Sequence, residues 1–143
     1  MSRDYYSEIN FHLTWHTKDS EAMLFDEIEV ACHNELKKRL LEIKHVVVHE
    51  IGGIENHIHI AVSVPPTITP STLIGELKGG SSYEVNRRFG TRRKALEWQR
   101  GYGIVSFGTK DLEWVKAYIR NQREHHTKGT AIDRMERIAF DDV

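Results

Sequence analysis

The sequence predicts an α+β fold: a ferredoxin-like, RRM-like βαββαβ antiparallel sheet with two helices on one face, followed by a C-terminal helix. Three observations carry the prediction. Residues 6–17 alternate apolar and polar side chains, the period of a half-buried strand. Two short apolar runs rich in β-branched residues lie back to back, at 45–51 and 56–64. Stretches of helical period flank that pair and recur near the C-terminus.

In the first strand, Phe11, Leu13 and Trp15 share one face, and Asn10, His12, Thr14 and His16 the other. Residues 21–43 then take a helical period, with Ile28, Ala31, Cys32, Leu36, Leu40 and Ile43 as the apolar stripe and Ser20 as the N-cap. The second and third strands form a hairpin whose turn is expected at Gly52-Gly53. Pro65-Pro66 ends it, because proline cannot donate to a ladder. Thr69-Pro70 opens a second helix running to about residue 88, with Leu73, Leu77 and Tyr83 inward and Gly79-Gly80 weakening its middle. Residues 98–107 read as a last strand or loose hairpin broken by Gly101 and Gly103. A third helix starts near Thr109, carries acids in its first turn, and stops near Lys128-Gly129. Its buried stripe is Leu112, Val115 and Ile119; Trp114, Tyr118 and Gln122 line the neighbouring one, expected against a partner surface. The tail from 131 to 143 is expected to hold at most a short helix.

The chain has 143 residues, read as one domain over 1–143, enough for a sizeable core. Net charge is −1 and the isoelectric point is near 6.8, which argues against a protein that coats nucleic acid non-specifically. A local basic cluster comprises Arg87, Arg88, Arg92, Arg93, Lys94 and Arg100, and a solvated helix end is the plain alternative for it. The lone Cys32 excludes an internal disulfide and a cysteine-rich zinc site. No apolar run approaches the ~20 residues that span a bilayer, and no signal peptide is evident, so a cytoplasmic protein is expected.

Chemistry concentrates in two stretches. On a strand, residues at i and i+2 share a face, so His57 and His59 point together while Ile58, Ile60, Val62 and Val64 point into the core. On a helix, residues at i and i+4 share a face, so Tyr118 and Gln122 can act together. Each signal is weak alone: nine histidines in 143 residues make a His-x-His pair unremarkable, and an aromatic beside an apolar stripe is more often core. Two imidazoles side by side suit a divalent cation. A phenol with a pKa of about 10 is a poor nucleophile at neutral pH and needs such help.

Together these stretches resemble the HUH single-tyrosine transposases, small enzymes of insertion sequences that move as single-stranded DNA. The resemblance covers roughly residues 6–126: the strand from Phe11 to Lys18, Asn56-His57-Ile58-His59, Val64 to Ser71, Leu77-Lys78-Gly79-Gly80-Ser81-Ser82, and Tyr118-Ile119-Arg120-Asn121-Gln122. It implies that His57, His59 and Gln122 bind Mg²⁺ or Mn²⁺. It implies that Tyr118 attacks the scissile phosphate, giving a 5′-phosphotyrosine and a free 3′-hydroxyl. It also implies single-stranded DNA with subterminal hairpins as substrate, and a homodimer whose active sites are shared between subunits. Lys78, Arg87, Arg88, Arg92 and Arg93 would then hold the DNA backbone. Many relatives have aspartate where this chain has Asn56. Two alternatives stand beside this reading: a host endonuclease of the same family that cuts chromosomal hairpins, and a non-enzymatic RRM-like nucleic-acid-binding module.

Overall fold

The structure, a computed structural model, describes residues 4–139. The element order is β1 (Asn10–His16), α1 (Asp26–Leu41), β2 (Val47–Ile54), β3 (His57–Ser63), α2 (Pro70–Phe89), β4 (Gly103–Phe107), α3 (Leu112–Arg120), α4 (Gln122–Lys128) and α5 (Asp133–Glu136). The four strands form one sheet in the order β2-β3-β1-β4, antiparallel throughout. This is the βαββαβ arrangement the alternation and the hairpin predict. Residues 140–143 of the expected tail lie outside the described residues.

The register of the two central strands puts Trp15 opposite Ile58 and Leu13 opposite Ile60, and on the reverse face His16 opposite His57 and Thr14 opposite His59. Leu13, Trp15, Ile58, Ile60 and Val62 join Cys32, Leu36 and Leu40 of α1 and Leu73, Ile74 and Leu77 of α2 in the main core. Each such side chain stabilises the fold by about 1.5–3 kcal/mol when fully buried. The reverse face is covered as well: Val115, Tyr118 and Ile119 of α3 and Met135 of α5 pack on Ala61 of β3. His12, Thr14, His57 and His59 are therefore all at most 2% exposed.

Several local expectations are corrected. The hairpin turn is Glu55-Asn56, because Ile54 pairs with His57, and Gly52 and Gly53 lie within β2. Glycine is needed there for close approach: a Cβ on Gly52 would stand 2.6 Å from the Ile119 carbonyl oxygen of α3. Ser20 does not cap α1; it ends a 3-10 turn at Lys18–Ser20, and α1 begins at Asp26 after Phe25. Tyr83 is exposed, and Ser81 and Val85 turn inward instead. α2 is uninterrupted through Gly79-Gly80, where the missing Cβ of Gly80 makes room for the Arg39 guanidinium of α1. The third helix is two helices: Asn121, at φ −99° and ψ 25°, separates α3 from α4.

Candidate active site

β3 brings in His57 and His59, α3 Tyr118, α4 Gln122 and His126, and α5 Glu136. After α4, Gly129 adopts φ 71°, which a glycine accepts without strain, and the chain turns back. Ile132 N–H then donates to the Tyr118 hydroxyl oxygen over 3.0 Å, fixing the start of α5 against α3. This return places Glu136 between the histidines and the tyrosine.

The Glu136 carboxylate is the common partner. Its Oε1 lies 3.1 Å from His59 Nε2, 3.3 Å from His57 Nε2 and 3.4 Å from His126 Nε2. Its Oε2 accepts from Gln122 Nε2 over 3.2 Å and from the Tyr118 hydroxyl. Gln122 Oε1 lies 2.9 Å from His57 Nε2 and 3.1 Å from His126 Nε2. The Tyr118 and Gln122 stripe thus packs on the chain's own sheet, both residues buried, rather than on a partner surface. Trp114, at the end of that stripe, is half exposed and stacks on Tyr118 with centroids 5.6 Å apart.

Both ring orientations are held from behind. His57 Nδ1 lies 2.8 Å from Asn56 Oδ1, an oxygen that can only accept, so the proton of a neutral His57 is on Nδ1. His59 Nδ1 lies 2.7 Å from His12 Nε2 on the neighbouring strand. Each histidine of the pair therefore has Nδ1 occupied and Nε2 turned to the centre, as metal-binding histidines require. The lone pairs of His57 Nε2, Gln122 Oε1 and Glu136 Oε1 then converge without a donor among them. His57 Nε2 stands 2.9 Å from Gln122 Oε1 and 3.3 Å from Glu136 Oε1, near the separation of neighbouring donors around one ion bound at about 2.1 Å. His57, His59, His126 and Glu136 each offer a ligand atom within 4.8 Å of the others. The residues fit a divalent cation.

Charge and burial set the local acidities. Burial works to raise the Glu136 pKa, but His57, His59 and the Tyr118 hydroxyl gathered around the carboxylate prevail and hold it well below the usual carboxylate range. Burial pushes the Tyr118 phenol up to about 12, with the hydrogen bond to Glu136 adding to it. Burial lowers His59, against the pull of Glu136, and takes His12 down to about 3.

The expected DNA contacts lie elsewhere. Lys78 is turned inward: its ammonium donates to the Gln99 and Gly101 carbonyls over 2.7 and 3.0 Å, tying α2 to the segment before β4. Those loop carbonyls have no ladder to join, so the lysine serves as their donor. Arg87 is paired with Glu84, and Arg88 lies over the Phe89 ring. Arg88 also lines a cleft of about 910 Å³ with Phe25, Glu29, Glu55 and Arg123, to which His57, His59, Tyr118, Gln122 and Glu136 do not contribute. Arg92 and Arg93 are exposed in the turn after α2. Sequence reasoning missed His126, Glu136 and His12. His126 had a signal, since it follows Gln122 by four residues on one helix face.

A ferredoxin-like sheet carrying a His-hydrophobe-His pair beneath a buried helix tyrosine has the layout of the HUH single-tyrosine transposases. The chain belongs to the IS200-like transposase family, whose model matches residues 5–122. It is 30% identical over 123 residues to the transposase for insertion sequence element IS200 of Salmonella typhimurium strain LT2, covering 83% of this chain and 80% of that one. The corresponding protein of Salmonella typhi matches to the same extent. Two solved structures share the fold. One, described as a candidate transposase from Deinococcus radiodurans R1, has a TM-score of 0.67 at 19% identity, covering 85% of this chain and 96% of its own. The other, a REP-associated tyrosine transposase bound to a REP hairpin, has a TM-score of 0.62 at 16% identity, covering 92% of this chain and 75% of its own. Among the described residues no helix is long and apolar enough to cross a membrane.

Proposed function

We propose that this transposase cleaves and rejoins single-stranded DNA through a 5′-phosphotyrosine on Tyr118. The observation that carries the reading is the convergence of Tyr118, His57, His59 and Gln122, four residues from three elements, on one carboxylate-sized space. His57, His59 and Gln122 would hold Mg²⁺ or Mn²⁺, with Glu136 Oε1 as a further donor. When bound, the ion withdraws charge from a phosphoryl oxygen and makes phosphorus more electrophilic. Glu136 Oε2 holds the Tyr118 hydroxyl. A carboxylate that acidic cannot take the proton of so weak an acid before reaction, so the proton leaves as the new P–O bond forms. The tyrosine oxygen bonds phosphorus as its proton passes to Glu136 Oε2, the 3′-oxygen departs and takes a proton from solvent water, and the ester keeps the bond energy for rejoining. Rejoining is the reverse attack by a 3′-hydroxyl and needs no nucleotide cofactor.

The solved relative bound to a REP hairpin supports hairpin-bearing single strands as substrate. The exposed Arg87, Arg88, Arg92 and Arg93 at the end of α2 would follow the backbone beyond the site. The single domain over 1–143 would act in the cytoplasm, as a homodimer. Cleavage within one chain is the arrangement favoured here, supported by Tyr118 lying over its own histidine pair. A non-enzymatic RRM-like role is disfavoured: such modules stack bases on an open sheet face, and here that face lies under α3 and α5. The test is incubation with hairpin-bearing single-stranded DNA and Mn²⁺, followed by a denaturing gel. A covalent protein–DNA adduct is expected, and its absence sinks the proposal.

A further inference from the structure

Beside the tyrosine lies a second, smaller recess that the cleavage chemistry does not use. Its volume is about 230 Å³, and its walls include His12, Phe107, Asp111, Trp114, Arg134 and Met135. That is below the roughly 300–1,000 Å³ of pockets for drug-sized ligands, so a single planar ring system is the size it suits.

His12 marks it as a site rather than a packing gap. The residue is 1% exposed, and its Nδ1 has no hydrogen-bond partner among the described residues. Its other ring nitrogen, Nε2, is taken by His59 Nδ1 at 2.7 Å, so Nδ1 is the one polar atom of the ring left to meet a ligand. Buried polar atoms are seldom left so. Trp114 supplies a flat wall, half exposed and stacked on the Tyr118 ring at an interplanar angle of 17°. Asp111 adds an acceptor and Arg134 a cation.

We infer that this recess binds one nucleobase of the single strand, next to the phosphate that Tyr118 attacks. The inference rests on the cleavage reading above. Trp114 stacks on the base face, and His12 Nδ1 hydrogen-bonds a polar group on the base edge. Holding that base fixes the scissile phosphate in line with the phenol, so Trp114 is a positioning residue.

The experiment uses hairpin-bearing single strands with an abasic residue placed in turn at each position flanking the cleavage point. Binding is measured with the full chain carrying Tyr118→Phe, so that no strand is cut. One abasic position is expected to weaken binding by roughly five- to 150-fold, the range for loss of one base–aromatic stack. Adding Trp114→Ala should abolish the difference between that strand and the intact one, whereas Trp114→Phe should keep most of it. Trp114→Ala removes a half-exposed ring, and its melting temperature checks that the chain is folded. Quenching of the exposed tryptophan's emission by the intact strand, lost on the abasic one, is the second readout. An abasic penalty that persists unchanged in Trp114→Ala, or no penalty at any position, overturns the inference while adduct formation by wild type leaves the cleavage reading standing. Failure of wild type to form an adduct overturns the cleavage reading, and this inference with it.

Discussion

Gly52→Ala is the sharpest test of how α3 is seated. A Cβ at this position would meet the Ile119 carbonyl oxygen at 2.6 Å and Ile119 Cγ2 at 2.9 Å. Ordinary contact begins near 3.4 Å, so sheet and helix must part by about 0.8 Å. Backbone strain is not involved, since the positive-φ glycines are Gly53, Gly101 and Gly129. Overpacking of this kind costs about 1–3 kcal/mol, and replacing a strand glycine returns about 0.5–1 kcal/mol of it. The net change in stability is therefore modest. Activity should suffer more, because Ile119 directly follows Tyr118, and a displacement near 1 Å at a reacting group costs on the order of a hundredfold. The assay is the rate of covalent adduct formation on hairpin-bearing single strands, alongside thermal melting. Gly79→Ala is the control: its Cβ meets nothing within 4 Å, and it should stabilise α2 by up to about 1 kcal/mol at unchanged rate. A Gly52→Ala chain that forms adduct at the wild-type rate would refute the idea that the close approach of β2 and α3 sets the position of the tyrosine.

Tyr118→Phe removes one hydroxyl and little volume; adduct formation should vanish while strand binding, read by gel shift, stays within about twofold of wild type. Asn56→Ala frees His57 Nδ1 and should lower Mn²⁺ affinity by about 10–100-fold in calorimetry, the usual loss when such a supporting partner goes. His33 is lowered to about 4 by burial and by Arg123; its folded pKa lies below the unfolded value, so its contribution is complete above about pH 6.5 and fades as pH falls towards 4. At pH 5 the loss is about 2 kcal/mol, and His33→Gln should flatten the acid limb of a denaturant-melt series by that amount. Mixing Tyr118→Phe with a His57→Ala/His59→Ala chain tests site sharing. The arrangement in the structure predicts no recovered cleavage, whereas shared sites in random dimers would restore about a quarter of them.

The sheet was legible because one short segment alternates two kinds of side chain: only a strand sorts the apolar Ile58, Ile60 and Val62 onto one face and the polar His57 and His59 onto the other. Tyr118 and Gln122 were legible for the same reason on a helix, even though Asn121 breaks that helix between them. What failed had tertiary causes. Gly52-Gly53 has the composition of a turn, but the demand for glycine comes from a helix some 65 residues later in the chain. Lys78 looks like a phosphate contact until the loop carbonyls of Gln99 and Gly101 appear beside it. Glu136 sits in a polar tail with no periodic signal, and only the reversal at Gly129 brings it under Tyr118.

The pairing of His16 with His57 and of Thr14 with His59 means that alignment of β1 with β3 is also the ruler of the reaction centre. A slip by a single position would send the isoleucines to the imidazole side and the imidazoles into the oil. No misaligned intermediate can keep a folded core and lose only its chemistry, or the converse. The two-residue connection at Glu55-Asn56 sets the matching rule on the other flank of β3, where Ile54 faces His57, so one strand answers to two neighbours at once.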